Sequence, residues 1–302
     1  MKCLALDTTT DVSSIALADE SGLIAEYNFA HRMDLSRRLM PNIVALLNDC
    51  GMEMKDVEAI GVSIGPGSFT GLRIGVVTAK TLAQALSIPI AGVVTLDLLA
   101  HQFDYLPDAV ICPLIKVRKG EVYWAFYHTT GAGIKRISEY DSGPIAAVIE
   151  CALSLQSSPS PLEGEGRGEG EDPRSETVFC GNAHSPALPL GEDSGSAVSS
   201  LLSSPSPLEG EGRGEGDTPH SALRTPHSEV FFCGDALADN LPLLDALGDR
   251  VVPSPVWLSY PKASILARLA LEKISAGDAD DPISLVPFYI RKSAPEQRLA
   301  GE

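Results

Sequence analysis

Residues 61–75 read GVSIGPGSFTGLRIG, and this stretch decides how the chain is built. An apolar run of strand length at 59–64 leads into a turn at 65–71 that contains three glycines. After the turn, helix-forming residues continue to Leu86. A strand that enters a glycine-rich turn and leaves it as a helix is typical of α/β domains.

The sequence around this unit predicts a first lobe over residues 1–105. Three apolar or alternating segments with short polar turns between them indicate an antiparallel meander at the start of the chain. A helix follows, and Pro41 within it implies a kink or a later start. The predicted strands are 2–7, 12–18, 23–30, 59–64 and 90–94, and the predicted helices are 34–50, the segment from the glycine-rich turn to 86, and a segment from Leu96.

A second mixed lobe is predicted over residues 106–156 and 229–302. Its predicted strands are 110–117, 121–128 and 230–233, and its predicted helices are 144–155, 236–247 and 259–274. Three meander strands followed by helix and strand, and then a second mixed lobe, is the order expected of a duplicated fold. We therefore predict an α/β, actin-like (ribonuclease-H-like) fold of two lobes.

Residues 157–228 have a composition unlike the rest of the chain. The string SSPSPLEGEGRGEG occurs at 157–170 and again at 203–216, and almost half of the segment is Gly, Pro or Ser. So few apolar residues cannot offset a backbone ordering cost of about 1–2 kcal/mol per residue. We predict a disordered, low-complexity insertion. The string SETVFCGNA at 175–183 nearly copies SEVFFCGDA at 228–236, and only the second copy leads into a helix-like pattern.

Composition restricts the function classes. The net charge is −17, which disfavours direct binding to a phosphate backbone, whose affinity comes largely from Lys and Arg. No apolar stretch approaches the roughly 20 residues that a membrane-spanning helix needs, and the first residues do not resemble a secretion signal. The six cysteines lie far apart in the sequence, as is usual for reduced thiols. We expect a cytoplasmic protein without a membrane segment.

Two motifs could contribute to phosphate chemistry. Asp7 ends the first predicted strand and precedes three threonines, as in actin-like ATPases and sugar kinases, although Thr and Asp are also ordinary turn residues. The glycine-rich turn could present backbone N–H groups to an anion, or it could simply be a tight turn. It lacks the Gly-Lys-Ser/Thr ending of a P-loop. The candidate nucleotide-binding residues are Asp7, Thr8, Gly65, Gly67, Ser68, Thr70 and Gly71.

An enzyme is the alternative to a binding protein. An ATPase or kinase would need a second acidic group near the phosphates, for which Asp97 is the obvious candidate in the first lobe. A glycoprotease would need a nucleophile with a positioned base, and the sequence offers no convincing pair. No two histidines have the helical spacing of metal ligands beside a carboxylate, so we predict no metal site and no catalytic residue.

Four stretches, in order, resemble proteins of the TsaB (YeaZ) family: LALDTTTDVSSIAL at 4–17, GVSIGPGSFTGLRIG at 61–75, GEVYWAFY at 120–127 and PFYIRKSA at 287–294. The resemblance implies an actin-like subunit that has lost catalytic power. It also implies a partnership with the paralogous transferase TsaD, which moves threonylcarbamoyl onto an adenosine of tRNA, and with the ATPase TsaE. Contact with tRNA would then occur only through the complex, and a homodimer is an alternative for the isolated chain.

The resemblance also implies where the partner binds. In family members, the helix at about 36–50 and the helix after the glycine-rich turn pack against the partner's equivalent helices. On the second of these, small residues recur every four positions from Gly71, which permits close helix approach, although packing inside the lobe is an equally good explanation. The expected partner-binding residues are Leu39, Ile43, Leu47, Leu72, Gly75, Val76, Ala79 and Ala83.

Two residues depart from the family pattern. Leu35 lies where a His is expected before Ser36, and Lys116 lies where relatives tend to carry an acidic residue. Both departures weaken a metal or nucleotide assignment. We expect no bound cofactor, with a nucleotide at the partner interface as the remaining alternative.

Overall fold

A computed structural model of the chain describes residues 1–31, 33–155 and 229–290. The predicted insertion at 157–228 and the first copy of the repeated strand at 175–183 lie outside the described residues. The second copy is confirmed as a strand, Val230–Cys233.

The first lobe contains a five-stranded sheet in the order β3-β2-β1-β4-β5. Its strands are β1 (Cys3–Asp7), β2 (Val12–Asp19), β3 (Gly22–Ala30), β4 (Ala59–Gly65) and β5 (Ile90–Val94), and its helices are α1 (Leu35–Asp49), α2 (Phe69–Leu86) and α3 (Thr95–Ala100). The first three strands pair antiparallel, as the predicted meander requires, and β1, β4 and β5 run parallel. All five residues of β1 are buried, as expected of a central strand covered on both faces.

Helices α1 and α2 cover one face of this sheet. Their buried side chains form one apolar core with residues of β1, β2, β4 and β5. Helix α1 starts at Leu35 and contains Pro41, so the proline lies inside the helix and does not delay its start.

The other face of the first sheet is covered by α6 (Ala263–Ser275). From its place in the chain after second-lobe elements, this helix is predicted to belong to the second lobe. That assignment is wrong. Leu266 and Ala270 pack beside Gly61 of β4, where an added Cβ would lie 2.9 Å from the Ala270 Cβ. The absence of a side chain at Gly61 lets the helix approach the strand closely.

The second lobe repeats the topology of the first. Its strands are β6 (Val110–Arg118), β7 (Glu121–Trp124), β8 (Tyr127–Thr130), β9 (Gly133–Arg136), β10 (Asp141–Pro144), β11 (Val230–Cys233) and β12 (Val251–Pro253), and its helices are α4 (Ile145–Ser154) and α5 (Leu237–Leu244). The order β10-β7-β6-β11-β12 contains the same antiparallel meander next to three parallel strands as the first sheet. The predicted α/β, actin-like duplicated fold is therefore confirmed.

The strand predicted at 121–128 is divided into two. Strand β7 pairs with the end of β6 and β8 with its beginning, and the chain leaves the β6 ladder between them. At this break the Phe126 N–H donates to the Ser138 hydroxyl and the Ile137 N–H donates to the Phe126 carbonyl. The alternating pattern predicted strand character correctly but did not reveal that the pairing partner changes.

Candidate functional site

Asp7 lies at the end of β1, and its carboxylate is fully buried. The Thr9 hydroxyl donates to both carboxylate oxygens, at 3.0 and 3.2 Å, and the Thr9 N–H donates at 3.3 Å. Burial raises the pKa of Asp7 to about 6 despite these hydrogen bonds. The Asp7 carboxylate is thus held by hydrogen bonds from the turn that follows it.

The glycine-rich turn packs directly against the turn that follows Asp7. The Ser68 N–H donates to the Thr9 carbonyl at 2.7 Å, and the Thr8 hydroxyl donates to the Gly71 carbonyl at 2.8 Å. A Cβ at Gly71 would lie 2.1 Å from the Thr8 carbonyl oxygen, and one at Gly67 would lie 2.5 Å from the Thr9 carbonyl oxygen. Because the two turns lie in such close contact, there is no room for a side chain at Gly67 or Gly71.

The remaining candidate nucleotide-binding residues belong to the same junction. Gly65 has a φ of +108°, a backbone conformation that favours glycine, and a Cβ there would lie 2.9 Å from the Phe288 carbonyl oxygen. The Ser68 hydroxyl caps α2 by accepting from the Gly71 N–H at 3.3 Å. Thr70 is exposed in the first turn of α2. Of the two interpretations of this turn, the geometry favours the tight structural turn.

A second acidic side chain, that of Asp235, is half-buried and was not predicted as a site residue. It follows β11 and accepts a hydrogen bond from the Lys116 N–H at 2.9 Å. Burial raises its pKa to about 6, and its charge is the smallest of the influences on the pKa of Asp7. The sequence signal that could have identified Asp235 is the glycine before it, Gly234. Its φ of +102° is close to the +108° of Gly65, which lies at the equivalent position of the first lobe.

We expect the stability of the protein to fall as pH rises from about 4 to about 6, because Asp7 loses its proton over this range. The folded-state pKa of Asp7 lies above its ordinary value of 3.8, so its stabilising contribution is complete below about pH 4 and is lost as pH rises through about 6. Asp7→Asn, which mimics the protonated acid, should therefore be more stable than the parent at pH 7, by on the order of 2 kcal/mol, and equal to it at pH 4. Thermal melts of both proteins between pH 4 and 8 would check this. A constant difference across that range would contradict it.

Lys116, one of the departures from the family pattern, lies beside Asp235. Its ammonium group forms an ion pair with Asp239 at 3.0 Å, in addition to the backbone contact with Asp235. The hydrogen bond to Asp239 and the neighbouring carboxylates raise the pKa of Lys116. The positive charge of Lys116 is thus paired with an acidic side chain of its own lobe.

The Asp97 carboxylate is hydrogen-bonded within the protein and is not left open as a phosphate-site acid would be. It accepts from the Tyr127 hydroxyl at 2.6 Å and from the Tyr140 hydroxyl at 2.7 Å. The Tyr140 ring also contacts the Arg136 guanidinium, at 4.0 Å, and the Phe288 ring, at 5.4 Å. Asp97 belongs to α3 of the first lobe and both tyrosines belong to the second. The carboxylate therefore ties the two lobes together.

A cavity of about 370 Å³ lies beside the edge strand β5, and its lining includes Asp97, His101 and Lys273. The Lys273 ammonium is engaged there by the Gly92 carbonyl at 3.2 Å and by the Asp280 carboxylate at 3.1 Å. The charged groups at this cavity thus already have partners within the chain.

The eight expected partner-binding residues do not reach the surface. Leu39, Ile43, Leu47, Leu72, Gly75, Val76, Ala79 and Ala83 are all buried between the two helices and the first sheet. A Cβ at Gly75 would lie 2.1 Å from the Thr8 hydroxyl oxygen. The small-residue strip is a packing seam inside the lobe, and the assignment of these residues to a partner surface is corrected accordingly.

Ala79→Leu should therefore destabilise the isolated chain. Ala79 is fully buried, and extra methylene groups in a packed core typically cost about 1–3 kcal/mol. Thermal or urea unfolding of the variant would measure this loss. Ala85→Leu, an exposed position on the same helix, is the matched control and should change stability by less than about 0.5 kcal/mol. Equal stability of the two variants would place the strip at the surface after all.

The opposite sides of α1 and α2 form an exposed surface that we call the outer helix face. Its apolar members are Met40, Val44, Phe69 and Val77, which are 37%, 46%, 47% and 61% exposed. Arg37 and Arg73 lie on the same exposed stripes. An apolar surface with a basic component is suited to bind another protein.

Among residues 1–31, 33–155 and 229–290, no three His, Cys, Asp or Glu side chains are grouped as a metal site would require. No helix in these ranges combines the length and the apolar character needed to cross a bilayer.

Known proteins resemble this chain in sequence and in fold. A family model described as "TsaD: tRNA N6-adenosine threonylcarbamoyltransferase" matches residues 30–183. The tRNA threonylcarbamoyladenosine biosynthesis protein TsaB of Bacillus subtilis is 45% identical over 42% of this chain and 55% of its own length. Its Escherichia coli namesake is 36% identical over 44% and 58%. The chain thus spans little more than half the length of these curated relatives.

A solved structure, YeaZ from Pseudomonas aeruginosa, matches the fold with a TM-score of 0.60 and 20% identity, covering 96% of this chain and 99% of that chain. The fold and the packed turn define the class as a duplicated actin-like protein whose glycine-rich turn lies against the protein's own backbone. With the sequence matches, the chain belongs to the TsaB (YeaZ) family.

Proposed function

We propose that the chain is a non-catalytic partner subunit in the synthesis of threonylcarbamoyladenosine in tRNA, and that it docks a TsaD-type transferase and with it a TsaE-type ATPase. Two relatives named for this pathway support the role. The docking function itself is supported by one observation above all, the outer helix face. Its four apolar side chains are exposed on two adjacent helices that rest on a rigid sheet.

The packing of the glycine-rich turn supports a non-catalytic role. The turn lies against Thr8 and Thr9, where a nucleotide-binding protein would leave room for phosphate. Asp97, the acid that a kinase mechanism would need, accepts from two tyrosine hydroxyls. Asp97 and the glycine-rich turn therefore serve to stabilise the two-lobe fold, and we infer that the protein functions through its surface.

The charge of the chain supports an indirect relation to tRNA. A protein with a net charge of −17 gains little from the counterion release that drives binding to a phosphate backbone. We propose that tRNA is bound by the assembled complex, in which a partner supplies the basic surface.

Reconstitution would test this function. We expect the purified chain to show no threonylcarbamoyl transfer, no ATP hydrolysis and no peptide cleavage, and to be required for transfer when mixed with the TsaD-type and TsaE-type proteins and tRNA. Turnover by the chain alone that Asp7→Ala abolishes would make it an enzyme. Full transfer without the chain would show that it is not a subunit of this machinery.

A further inference from the structure

The residues after α6 include an irregular segment at 280–290 that we call the strap. It begins at β5, which is an edge strand of the first sheet. The Asp280 N–H donates to the Ile90 carbonyl at 2.8 Å, and the Asp280 carboxylate accepts from the Gly92 N–H at 2.7 Å. The strap therefore covers backbone groups that an edge strand would otherwise expose.

The middle of the strap is attached to α2. The Lys80 ammonium donates to the Ile283 and Leu285 carbonyls at 2.9 and 2.7 Å. The Leu285 side chain is buried in the core beneath α1 and α2, whereas Ile283 and Val286 are 76% and 66% exposed. Leu285 thus anchors the strap to the first lobe, while the side chains on either side of it face the solvent.

The end of the strap contacts both lobes. The Phe288 N–H donates to the carbonyl of Ile64, near the end of β4, at 2.7 Å. The Phe288 ring meets the ring of Tyr140, which belongs to the second lobe, edge to face at a centroid distance of 5.4 Å. Ile290 then packs against an apolar cluster whose members come from α3 and from strands of the second lobe. One short segment thus links the first sheet to the second lobe.

The ring that Phe288 contacts is the one whose hydroxyl connects the lobes. The Tyr140 hydroxyl donates to the Asp97 carboxylate on α3 at 2.7 Å. Edge-to-face aromatic pairs are favourable beyond the area that they bury. Phe288 therefore orients Tyr140 for its hydrogen bond to the first lobe.

We propose that the strap locks the two lobes in one relative arrangement, and that Phe288 is the positioning residue that joins it to the second lobe. Relative motion is the usual behaviour of two lobes unless the contact between them is large and apolar. Locked lobes give the protein a rigid surface for binding and no hinge with which to close around a ligand. This inference does not depend on the proposed docking function.

The distance between the lobes tests this inference. Spin labels carried by unnatural amino acids at Ser21 and Lys119, exposed turn positions in the first and second lobes, avoid the six native cysteines. We expect one narrow distance distribution for the parent chain. Phe288→Ala removes the ring that contacts Tyr140 and should broaden that distribution about twofold or more. Val286→Ala, at an exposed position on the same strap, is the matched control and should leave it unchanged.

Phe288→Leu keeps an apolar side chain at this position without the ring, and it decides the question if Phe288→Ala does not fold. We expect it to broaden the distribution by less than Phe288→Ala and by more than Val286→Ala. An unchanged distribution in the folded Phe288 variants, even with a lower melting temperature, would reduce the strap to ordinary packing and overturn the inference. A broad distribution in the parent chain would also overturn it, because the lobes would then move despite the strap.

Discussion

We expect Val77→Asp to weaken association with the TsaD-type partner by about 100-fold or more while the isolated chain keeps its melting temperature. The Val77 side chain is 61% exposed on α2, so an aspartate there stays hydrated in the free protein, and exposed substitutions usually change stability by less than about 0.5 kcal/mol. In the complex the charge would be buried among apolar groups. A charge left buried without a partner typically costs about 3–5 kcal/mol, which corresponds to a loss of 100-fold or more.

Val256→Asp is the matched control for this variant. Val256 is 65% exposed on a short 3₁₀ turn of the second lobe, far from α1 and α2 in the sequence, and the substitution introduces the same charge. It should bind the partner as the parent does. Titration of the partner with both variants, together with thermal melts, gives the comparison. Equal binding by Val77→Asp and the parent would exclude the outer helix face as the docking surface.

Asp97→Ala should cause a large loss of stability. The substitution removes a carboxylate that accepts from Tyr127 and Tyr140, and hydrogen bonds to a charged group contribute about 1.5–3 kcal/mol each. It also leaves the Tyr127 hydroxyl buried without an acceptor, since that side chain is almost fully buried. We expect a loss of about 3 kcal/mol or more, seen as a fall in melting temperature of roughly 6–12 °C.

Single hydroxyl deletions provide the controls for Asp97. Tyr127→Phe and Tyr140→Phe should each show part of the loss, and adding either change to Asp97→Ala should cost little more, because the acceptor is already gone. Tyr289→Phe alters an exposed tyrosine and should be neutral. A melting temperature of Asp97→Ala within a degree of the parent would show that the contact between the lobes does not stabilise the fold.

The sequence predicted the local elements of the first lobe well because their signals are local. The short apolar run that contains Cys3–Asp7 has strand length and is bounded by a polar turn, and the helix after the glycine-rich turn ends at Leu86 as predicted. Long-range placement was less predictable. Helix α6 packs on strands more than 170 residues earlier in the chain, and nothing in its own periodicity distinguishes the two sheets.

The functional surface was the hardest feature to predict. Periodicity shows which residues of a helix share a face, but it does not show whether the sheet or a partner covers that face. The strip at Gly75, Ala79 and Ala83 satisfies both alternatives, and the structure buries it against the sheet. The outer helix face has fewer apolar residues, mixed with arginines and threonines, so its pattern in the sequence resembles an ordinary solvated helix surface.

Hydrogen exchange of the chain with and without the TsaD-type partner tests the central proposal most directly, because it locates the contact without altering the protein. The outer helix face predicts slower exchange in peptides from Leu35–Asp49 and Phe69–Leu86 when the partner is added, and unchanged exchange around Val256 and in β11 and β12. Protection confined to the second lobe, with both helices unchanged, would contradict docking through this face.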